Sequence, residues 1–476
     1  MCAAVGAGVG YGGMKFHDVE DQVRRKMERR GIGSAAVKQF LDMLRQVADG
    51  QSGYVPLDRV SAPDAHQLLD AQSELRNVPE LEKRGKELLS KVAVIKLNGG
   101  RSTTMGTRVP KGILEAKDGR SYLQIIIGQV AAIRHRWRVD VPLVLMNSFF
   151  THGPTMETVN HHDIPVLTFI QRQVPRLLED SLAPLETDTD EDWVPPGHGD
   201  VYQSLGATGL LRLLRERGCR WAFISNLDNL AACLEPWIIG LLERDNIEFL
   251  LEVTHRTAAD RKGGTLVARG GRLDLLEIGQ VSPQERNAFM DIDRFPVFNT
   301  NNVWVDLDSL DRVLQEGSLN LPIIQNRKEI GEKKVIQIET AMGAAIGSFP
   351  FARGLKVGRD RFFPTKKVSD LFVLQSDVCI LDSMDRLQRN PARPASMPFV
   401  PRVYFGADFV DSPHKLGDRF EDPASVSLVL ASALEVTGPA YFERDIRIEG
   451  DVRIAAPADK GCRIPRGSVL RDCDYP

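Results

Sequence analysis

The stretch Val92-Ala-Val-Ile-Lys-Leu97 runs directly into Asn98-Gly99-Gly100-Arg101-Ser102. Its first six residues are compact, mostly apolar and rich in β-branched side chains, which predicts a buried strand. The glycines let the backbone approach a ligand closely, and successive N–H groups can form a nest for phosphate. Lys111 supplies a cation in the loop that follows these glycines. We therefore predict a phosphate-binding turn, with a plain strand-to-loop turn as the alternative.

A second glycine pattern stands near the N-terminus. Gly8, Gly10 and Gly13 match the G-x-G-x-x-G spacing of dinucleotide-binding loops. That fingerprint must follow a strand and open a helix, because it aims a helix N-terminus at pyrophosphate. Only a short Ala/Gly run precedes it here. We interpret it as a flexible terminus.

From residue 92 onwards, apolar runs of strand character alternate with helical stretches. The strand candidates are 92–97, 141–146, 165–170, 221–225 and 247–253. The helical candidates are 121–137, 201–217 and 230–244. This alternation predicts an α/β fold, in which helices cover both faces of a mostly parallel sheet. Ligands bind at the carboxyl ends of the strands in such sheets, where this sequence places polar clusters.

The two ends of the chain follow other patterns. Residues 15–90 are predicted to be helical, with one helix stopping at Gly50 and another opening at Pro79. After about residue 390, prolines mark a linker. Short β-runs with glycine punctuation follow it, such as those at 434–438 and 446–450. Their close spacing predicts a small β-solenoid cap.

Composition excludes several classes of protein. The 476 residues carry 61 Lys plus Arg against 64 Asp plus Glu, a net charge of −3, which argues against a dedicated nucleic-acid binder. The six cysteines include no C-x-x-C pair, as is typical of a reducing compartment. No window approaches a membrane span, and the first residues lack the basic region of a signal peptide. We expect a cytoplasmic protein that binds neither nucleic acid nor membrane.

Four further residues are candidates for chemistry. Asp228 follows an apolar strand, where a carboxylate commonly holds Mg²⁺; the alternative is an Asx turn. His198 stands between two glycines in Trp193-Val-Pro-Pro-Gly-His198-Gly-Asp200, next to a predicted helix start, and is either a ligand contact or structural. Lys366 and Lys367 form a late cation pair, or a surface charge pair.

These residues belong to motifs that, in this order, resemble the eukaryotic-type UTP–glucose-1-phosphate uridylyltransferase (UDP-glucose pyrophosphorylase) family. The motifs are L-N-G-G at 97–100, M-N-S-F at 146–149, P-P-G-H-G-D at 195–200, S-N-x-D-N-L at 225–230, K-G-G-T-L at 262–266, F-N-T-N-N-x-W at 298–304 and R-F-x-P-x-K at 361–366. The resemblance implies a GT-A-like Rossmann-type nucleotidyltransferase core, over 91–394, and a left-handed β-helix, which with its linker covers 395–476. The sequence pattern itself predicts the helical segment over 1–90, and it makes the C-terminal β-rich part a candidate for subunit contact in a homo-oligomer.

The resemblance implies roles for individual residues. Lys366, Lys111 and Asp228 would be catalytic, and Asp228 would bind Mg²⁺. The nucleotide would contact Leu97, Asn98, Gly99, Gly100, Lys111, Gln171 and Gly197. The sugar phosphate would contact His198, Asn226, Leu227, Asp228, Asn299, Thr300, Asn301 and Lys366.

The implied reaction joins UTP and glucose 1-phosphate. An oxygen of the sugar phosphate attacks the α-phosphate in line and pyrophosphate leaves, with no covalent enzyme intermediate and no general base. Arg101-Ser102 stands where the family usually has Leu-Gly, so triphosphate grip or base choice is open to change. The alternatives are another nucleotide, another sugar or pseudosugar phosphate, or a non-catalytic homologue that binds nucleotide sugars.

Overall fold

The computed structural model of the protein describes residues 15–50, 53–100, 102, 105–107, 109–160, 162, 164–187 and 189–475. Gly8, Gly10, Gly13 and Arg101 lie outside the described residues, so the predictions made for them stay predictions. Where it is described, the chain forms eleven α-helices: α1 Phe16–Arg29, α2 Ser34–Ala48, α3 Val78–Glu87, α4 Tyr122–Trp137, α5 His152–Val159, α6 Asp200–Ala207, α7 Leu210–Glu216, α8 Pro236–Arg244, α9 Arg286–Phe289, α10 Leu307–Gln315 and α11 Val368–Gln375.

The same residues form 25 strands, several of them very short. In chain order they are β1 Leu68–Asp70, β2 Val92–Asn98, β3 Glu115–Lys117, β4 Arg120–Ser121, β5 Leu143–Asn147, β6 Val166–Ile170, β7 Val174–Pro175, β8 Leu177–Leu178, β9 Trp193–Val194, β10 Trp221–Asn226, β11 Phe249–His255, β12 Thr265–Arg269, β13 Arg272–Leu276, β14 Val297–Asp306, β15 Ile324–Ile330, β16 Lys333–Glu339, β17 Ala352–Lys356, β18 Cys379–Leu381, β19 Leu387–Arg389, β20 Arg402–Phe405, β21 Ser427–Thr437, β22 Ala440–Phe442, β23 Arg447–Ala455, β24 Cys462–Ile464 and β25 Val469–Tyr475.

The fold is mixed α/β with a large, mostly parallel sheet, as the alternation predicted. All five strand candidates are strands, within two residues at each end. Two helical predictions were wrong in part. The stretch 201–217 is two helices, because Gly209 takes a left-handed φ of 76° between them. Residues 230–235 are not helical, and α8 begins only at Pro236, a favoured first position of a helix.

The chain divides into two compact units. The first comprises Met1–Ser73, Phe169–Arg220 and Leu242–Lys356. Its part of the large sheet runs in the order β1-β17-β11-β14. The first three of these strands are parallel, and β14 is antiparallel to β11. β1 was not predicted, since residues 15–90 were expected to be helical throughout.

The second unit comprises Glu74–Thr168, Trp221–Leu241 and Val357–Pro476. In its part of the large sheet, β2 lies between β10 and β5 and is parallel to both. All seven residues of β2 are buried, which explains why its sequence is an almost unbroken apolar run. On β2, only Lys96 and Asn98 carry polar side chains into this core.

The late β-runs form a stack of parallel strands in the order β20-β21-β23-β25. Phenylalanines fill the space beside it. The ring of Phe420 stacks on Phe372 of α11 and on Phe442 of β22, with centroids 4.7 Å apart in both pairs. The β-runs predicted at 434–438 and 446–450 thus lie in or beside β21 and β23, and the solenoid itself stays a prediction.

The structure also bears on the cysteines and on membrane-spanning helices. The five described cysteines are free thiols; they are Cys219, Cys233, Cys379, Cys462 and Cys473. Across the described ranges, none of the helices is both long and apolar enough to cross a bilayer.

In the second unit, α3 and α8 approach so closely that glycine is required on both. A Cβ on Gly85 would overlap the backbone carbonyl of Pro236, and one on Gly240 would overlap that of Leu81. Backbone atoms cannot move aside as a side-chain tip can. The crossing therefore depends on the missing side chains.

We expect Gly85→Ala to lower the free energy of unfolding by about 2 kcal/mol or more, because the added methyl group overpacks the crossing. Helix propensity alone predicts a gain of about 1 kcal/mol for the same change. Gly153→Ala is the matched control, since Gly153 is an exposed helical glycine with no atom within 4 Å of the new Cβ. Urea unfolding of both variants and of the wild type measures the effect. If Gly85→Ala were as stable as the wild type or more stable, the close approach of α3 and α8 at Gly85 would be wrong.

Candidate functional site

The predicted site residues fall into two groups, one in each unit. In the second unit, the parallel pairing of β2 with β10 sets Leu97 opposite Asn226. The Leu227 N–H then donates to the Leu97 carbonyl at 3.1 Å. The glycine turn after β2 and the segment 226–228 after β10 consequently lie side by side, as expected for the carboxyl ends of parallel strands.

Lys111 and Asp228 form an ion pair at this edge. The Lys111 Nζ lies 2.7 Å from Asp228 Oδ2 and also donates to the Thr365 carbonyl at 2.7 Å. Each side chain of the pair is 16% exposed. Lys366 is exposed and directly follows Thr365. Three segments far apart in sequence are thus brought together, although the catalytic roles of their residues stay predictions.

The Asp228 carboxylate suits a magnesium ion held mainly by phosphate oxygens. Its Oδ1 makes no hydrogen bond within the described residues, and its Oδ2 pairs with Lys111 rather than closing an Asx turn. No group of three acidic, His or Cys side chains is assembled anywhere in the described ranges. One carboxylate oxygen donor with waters and phosphates is a usual ligand set for Mg²⁺.

A buried lysine braces the loop that carries Asp228. Lys96 is 1% exposed, and its Nζ donates to Ser225 Oγ and to the Ala232 carbonyl, both at 2.7 Å. These acceptors stand at either end of the segment 226–231. On the other side, Asn229 Oδ1 accepts the Phe363 N–H at 2.9 Å. Sequence reasoning missed Lys96, because an apolar strand gives no sign of what its one cation contacts.

Asn98 and Asn226 behave differently although both end a strand. The Asn98 amide donates to Asn147 Oδ1 and Thr155 Oγ1, each at 2.8 Å, and is 3% exposed. It therefore shapes the turn from inside. The Asn226 side chain makes no hydrogen bond within the described residues and is half-buried, so its amide is available to a ligand.

The glycine turn itself is described in part. An added Cβ on Gly100 would meet no atom within 4 Å, so this position is open. Ser102 takes a φ of 56°, in the left-handed region that glycine adopts freely. Serine in this conformation therefore costs about 1 kcal/mol more than glycine would.

In the first unit, residues 196–199 lie against the backbone at Thr340. The Gly199 N–H donates to the Thr340 carbonyl at 2.9 Å, and the Thr340 N–H donates to the Pro196 carbonyl at 3.0 Å. A Cβ on Gly197 would stand 2.5 Å from the Thr340 carbonyl oxygen, and the φ of Gly197 is 84°. The glycines beside His198 are there because this contact leaves no room for side chains.

The same contact fixes the protonation of His198. Its Nδ1 accepts the Met342 N–H at 3.0 Å, so the proton of the neutral ring stands on Nε2. Burial lowers the pKa of His198 to about 4. At neutral pH, His198 is therefore an uncharged hydrogen-bond donor.

Asp200 links the two segments of this unit that are predicted to contact the nucleotide, those of Gln171 and Gly197. Its buried carboxylate accepts the Arg172 backbone N–H at 2.8 Å and the Arg172 Nε at 2.6 Å. The adjacent Gln171 is 5% exposed, and its side chain makes no hydrogen bond within the described residues. The sequence indicates Asp200 only as the start of a helix, because its partner Arg172 is 28 residues away in the sequence.

The N-terminal helices of the unit hold this region from outside. Gln39 of α2 accepts from Arg172 Nη1 at 2.7 Å. Lys26 of α1 is buried, forms an ion pair with Asp192 and lies over the ring of Trp193. Both contacts reach the segments that flank Gln171 and Gly197.

The predicted sugar-contacting amides lie on β14. Asn299 Nδ2 donates to Asn301 Oδ1, and the Asn301 N–H donates to Asn299 Oδ1, both at 2.9 Å. The Thr300 hydroxyl is instead turned to the Glu252 carbonyl, at 2.7 Å. Gly343 packs on Asn299, where an added Cβ would lie 3.5 Å from Nδ2. The residue before it, Met342, donates its N–H to His198, so the segment 342–343 contacts both His198 and Asn299 within the first unit.

Glu277 is a residue that the sequence did not indicate. Its carboxylate lies against Gly264, where an added Cβ would stand within van der Waals overlap. The Gly264 carbonyl in turn accepts the Asn299 N–H at 2.9 Å. The only signal was the glycine pair of K-G-G-T, which allows this close approach.

Fold and site together define an α/β protein with a glycine-lined turn at the end of a buried strand and a lysine–aspartate pair beside that turn, as in nucleotidyltransferases. The family model described as UTP–glucose-1-phosphate uridylyltransferase matches residues 37–449. The chain belongs to that family.

Relatives support this assignment over most of the chain. The chain is 37% identical over 441 residues to a UTP–glucose-1-phosphate uridylyltransferase of Solanum tuberosum, covering 91% of each protein. It is also 37% identical to a probable UTP–glucose-1-phosphate uridylyltransferase of Schizosaccharomyces pombe, over 89% of this chain and 84% of the relative.

Solved structures agree. A UDP-glucose pyrophosphorylase variant of Leishmania major in complex with UDP-glucose superposes with a TM-score of 0.86 at 30% identity, covering 97% of this chain and 100% of the other. A UDP-glucose phosphorylase of Trypanosoma brucei gives the same TM-score at 31% identity, with coverage of 96% and 99%.

We expect His198 to stay neutral, with its proton on Nε2, down to about pH 5, because the folded protein disfavours the charged ring. Two-bond ¹⁵N–¹H spectra of histidine-labelled protein check this, with His198→Asn supplying the assignment and keeping an acceptor for the Met342 N–H. An ordinary unfolded histidine has a pKa of about 6.5, so the unfolded state takes up the proton first and stability falls as pH drops from about 6.5 to 4. A proton on Nδ1, or titration near 6.5, would contradict the structure.

Proposed function

We propose that the protein transfers the uridylyl group of UTP to glucose 1-phosphate, giving UDP-glucose and pyrophosphate. The observation that carries the proposal is the Lys111–Asp228 pair beside the glycine turn of β2, in a chain that belongs to the uridylyltransferase family. An oxygen of the sugar phosphate forms the new bond to the α-phosphorus of UTP. The bond from that phosphorus to the oxygen that bridges the α- and β-phosphates breaks, and this oxygen leaves as part of pyrophosphate. The nucleophile is already ionised at neutral pH, so no residue has to remove a proton.

Most of the residues that contact the phosphate groups belong to the second unit. Two polyanions must approach each other, and the ammonium groups of Lys111 and Lys366 neutralise the charge that opposes them. The backbone of Leu97, Asn98, Gly99 and Gly100 lets the nucleotide come close. Asn226 and Leu227 position the sugar phosphate. Mg²⁺, held by Asp228, would supply further charge neutralisation when bound.

The sugar and the base are recognised by residues of the first unit. His198 offers its Nε2 proton to a phosphate oxygen without adding charge, since burial keeps the ring neutral. Gln171 and Gly197 hold the base, and the Gln171 amide has donors and an acceptor free of described partners for that purpose. Asn299, Thr300 and Asn301 provide the polar edge for the hexose hydroxyls.

The finer architecture is proposed on the same resemblance. We assign residues 1–90 to an N-terminal helical segment, 91–394 to a GT-A-like Rossmann-type core, and 395–476 to a linker and a left-handed β-helix. The parallel stack β20-β21-β23-β25 supports a solenoid there. We further propose that copies of the chain associate through this β-helix, and that the protein works in the cytoplasm, where free thiols persist.

A pyrophosphate-release assay across nucleoside triphosphates and sugar 1-phosphates tests the proposal. We expect turnover with UTP and glucose 1-phosphate to exceed every other pair, and to vanish when Mg²⁺ is chelated. Activity confined to another pair would identify a family member with changed substrates, as the Arg101-Ser102 departure allows. Binding of UDP-glucose without turnover of any pair would identify the non-catalytic homologue.

Lys366→Ala is expected to lower kcat by about a hundredfold or more, because it removes a cation from the charge that develops in the transition state. The side chain is exposed, so the thermal midpoint should not change. Lys367→Ala is the matched control, being the adjacent exposed lysine, and should keep most of the activity. A near-normal kcat for Lys366→Ala would remove this residue from the mechanism.

A further inference from the structure

Strand β14 contains a bulge at the predicted sugar-contacting residues. In its pairing with β11, Asn302 is opposite Glu252 and Asn299 is opposite Val253. Thr300 and Asn301 therefore have no partners in the ladder. Asn301 takes a φ of 57°, a left-handed conformation that asparagine tolerates better than most residues. Bulges of this kind re-aim side chains, often next to active sites.

Glu252 of β11 is hydrogen-bonded to the bulge and to the residues that follow it. Glu252 is fully buried, and its Oε1 accepts the Trp304 indole N–H at 2.8 Å while its Oε2 accepts from Asn302 Nδ2 at 3.1 Å. Its backbone carbonyl accepts the Thr300 hydroxyl at 2.7 Å. Three residues of β14, one inside the bulge and two after it, are thus fixed to a single residue of β11.

A carboxylate does here what a neutral side chain cannot. Both of its oxygens accept, and both face donors on β14. Glutamine has nearly the same shape but presents an NH₂ group to one of these donors, so either a buried donor loses its acceptor or the Asn302 amide has to turn over. Hydrogen bonds to a charged acceptor are also roughly twice as strong as neutral ones. Glu252 therefore fixes the end of the bulge more tightly than its neutral isostere would.

The bulge in turn fixes the orientation of two amides. Asn299 and Asn301 bond each other, so the acceptor of each is occupied and its direction is set. The Asn301 NH₂ makes no hydrogen bond within the described residues. It is a donor with a fixed direction. Hexose epimers differ in the direction of one hydroxyl, and a site with fixed polar groups discriminates between such isomers better than an adaptable one.

We propose that Glu252 is a positioning residue for sugar selection: through the β14 bulge, it sets the direction of the Asn299 and Asn301 amides and so the preference for one hexose 1-phosphate over its epimers. The proposal rests on the proposed function, because it assumes that these amides meet the sugar. It assigns no contact with substrate to Glu252, which is buried beneath them.

The test compares glucose 1-phosphate with galactose 1-phosphate in wild type and in Glu252→Gln. We expect the ratio of the two kcat/KM values to fall by about tenfold, since the variant weakens the positioning of one hydrogen bond rather than removing the contact with the sugar. KM for UTP should not change. Glu248→Gln is the matched control: Glu248 directly precedes β11 and bonds Arg312 and Ser309, so its loss should affect stability but not the epimer ratio.

Two further variants distinguish positioning from a structural role. Glu252→Gln combined with Asn302→Asp reverses donor and acceptor, and should restore part of the epimer ratio. If Glu252→Gln does not fold, Trp304→Phe removes only one donor to the carboxylate and should shift the ratio in the same direction by a smaller factor.

An unchanged epimer ratio in a folded variant, with the wild type active on glucose 1-phosphate, would overturn the role of Glu252 and leave the proposed function standing. So would an equal loss on both sugars. A wild type that turns over no hexose 1-phosphate would overturn the proposed function itself, and the inference with it.

Discussion

The parallel pairing of β2 with β10 is the constraint on which the proposed phosphate-binding residues, Lys111 and Asp228, depend for their positions. Because the two strands run the same way, they end at the same edge, and the register sets Leu97 opposite Asn226. Antiparallel pairing would have carried the segment 226–228 to the far end of β2. A shift by one residue would have turned Asn226 to the other face. Only with this register can the chain bring Asp228 within hydrogen-bond distance of Lys111, which stands 117 residues earlier.

Three buried charges then keep the loops in place, one each on β2, α6 and β11. Lys96, Asp200 and Glu252 are each at most 1% exposed, and each makes several hydrogen bonds to segments distant in sequence. Burying a charge is unfavourable unless such bonds replace its hydration. These hydrogen bonds in turn fix the orientation of the segments that make them, because moving such a segment would leave the buried charge without its partners. The near-zero net charge of the chain conceals this use of ionised groups.

The sequence was informative about elements and less so about contacts. Strands such as β2 and β10 could be predicted because full burial on both sides leaves an apolar run between turn residues. The break at Gly209 could not, since one glycine in a helical pattern is ambiguous until its φ is known. Local sequence made Asp228 and His198 candidates, and the resemblance implied roles for both and for Asn299. The partners that orient them, among them Lys96, Asp200 and Met342, depend on register and on loop packing, which local sequence does not encode.

The N-terminal helices have a consequence for anyone who shortens this chain. Helices α1 and α2 resemble a removable extension, since the family motifs begin only at Leu97. Yet Gln39 bonds the arginine next to Gln171, and Lys26 is buried against Asp192, five residues before Gly197. Deletion of the first fifty residues would leave Asp192 buried without its cation and the Gln171 turn without the contact from Gln39. The smallest working enzyme is therefore larger than its motifs suggest, and its first boundary lies before Lys26.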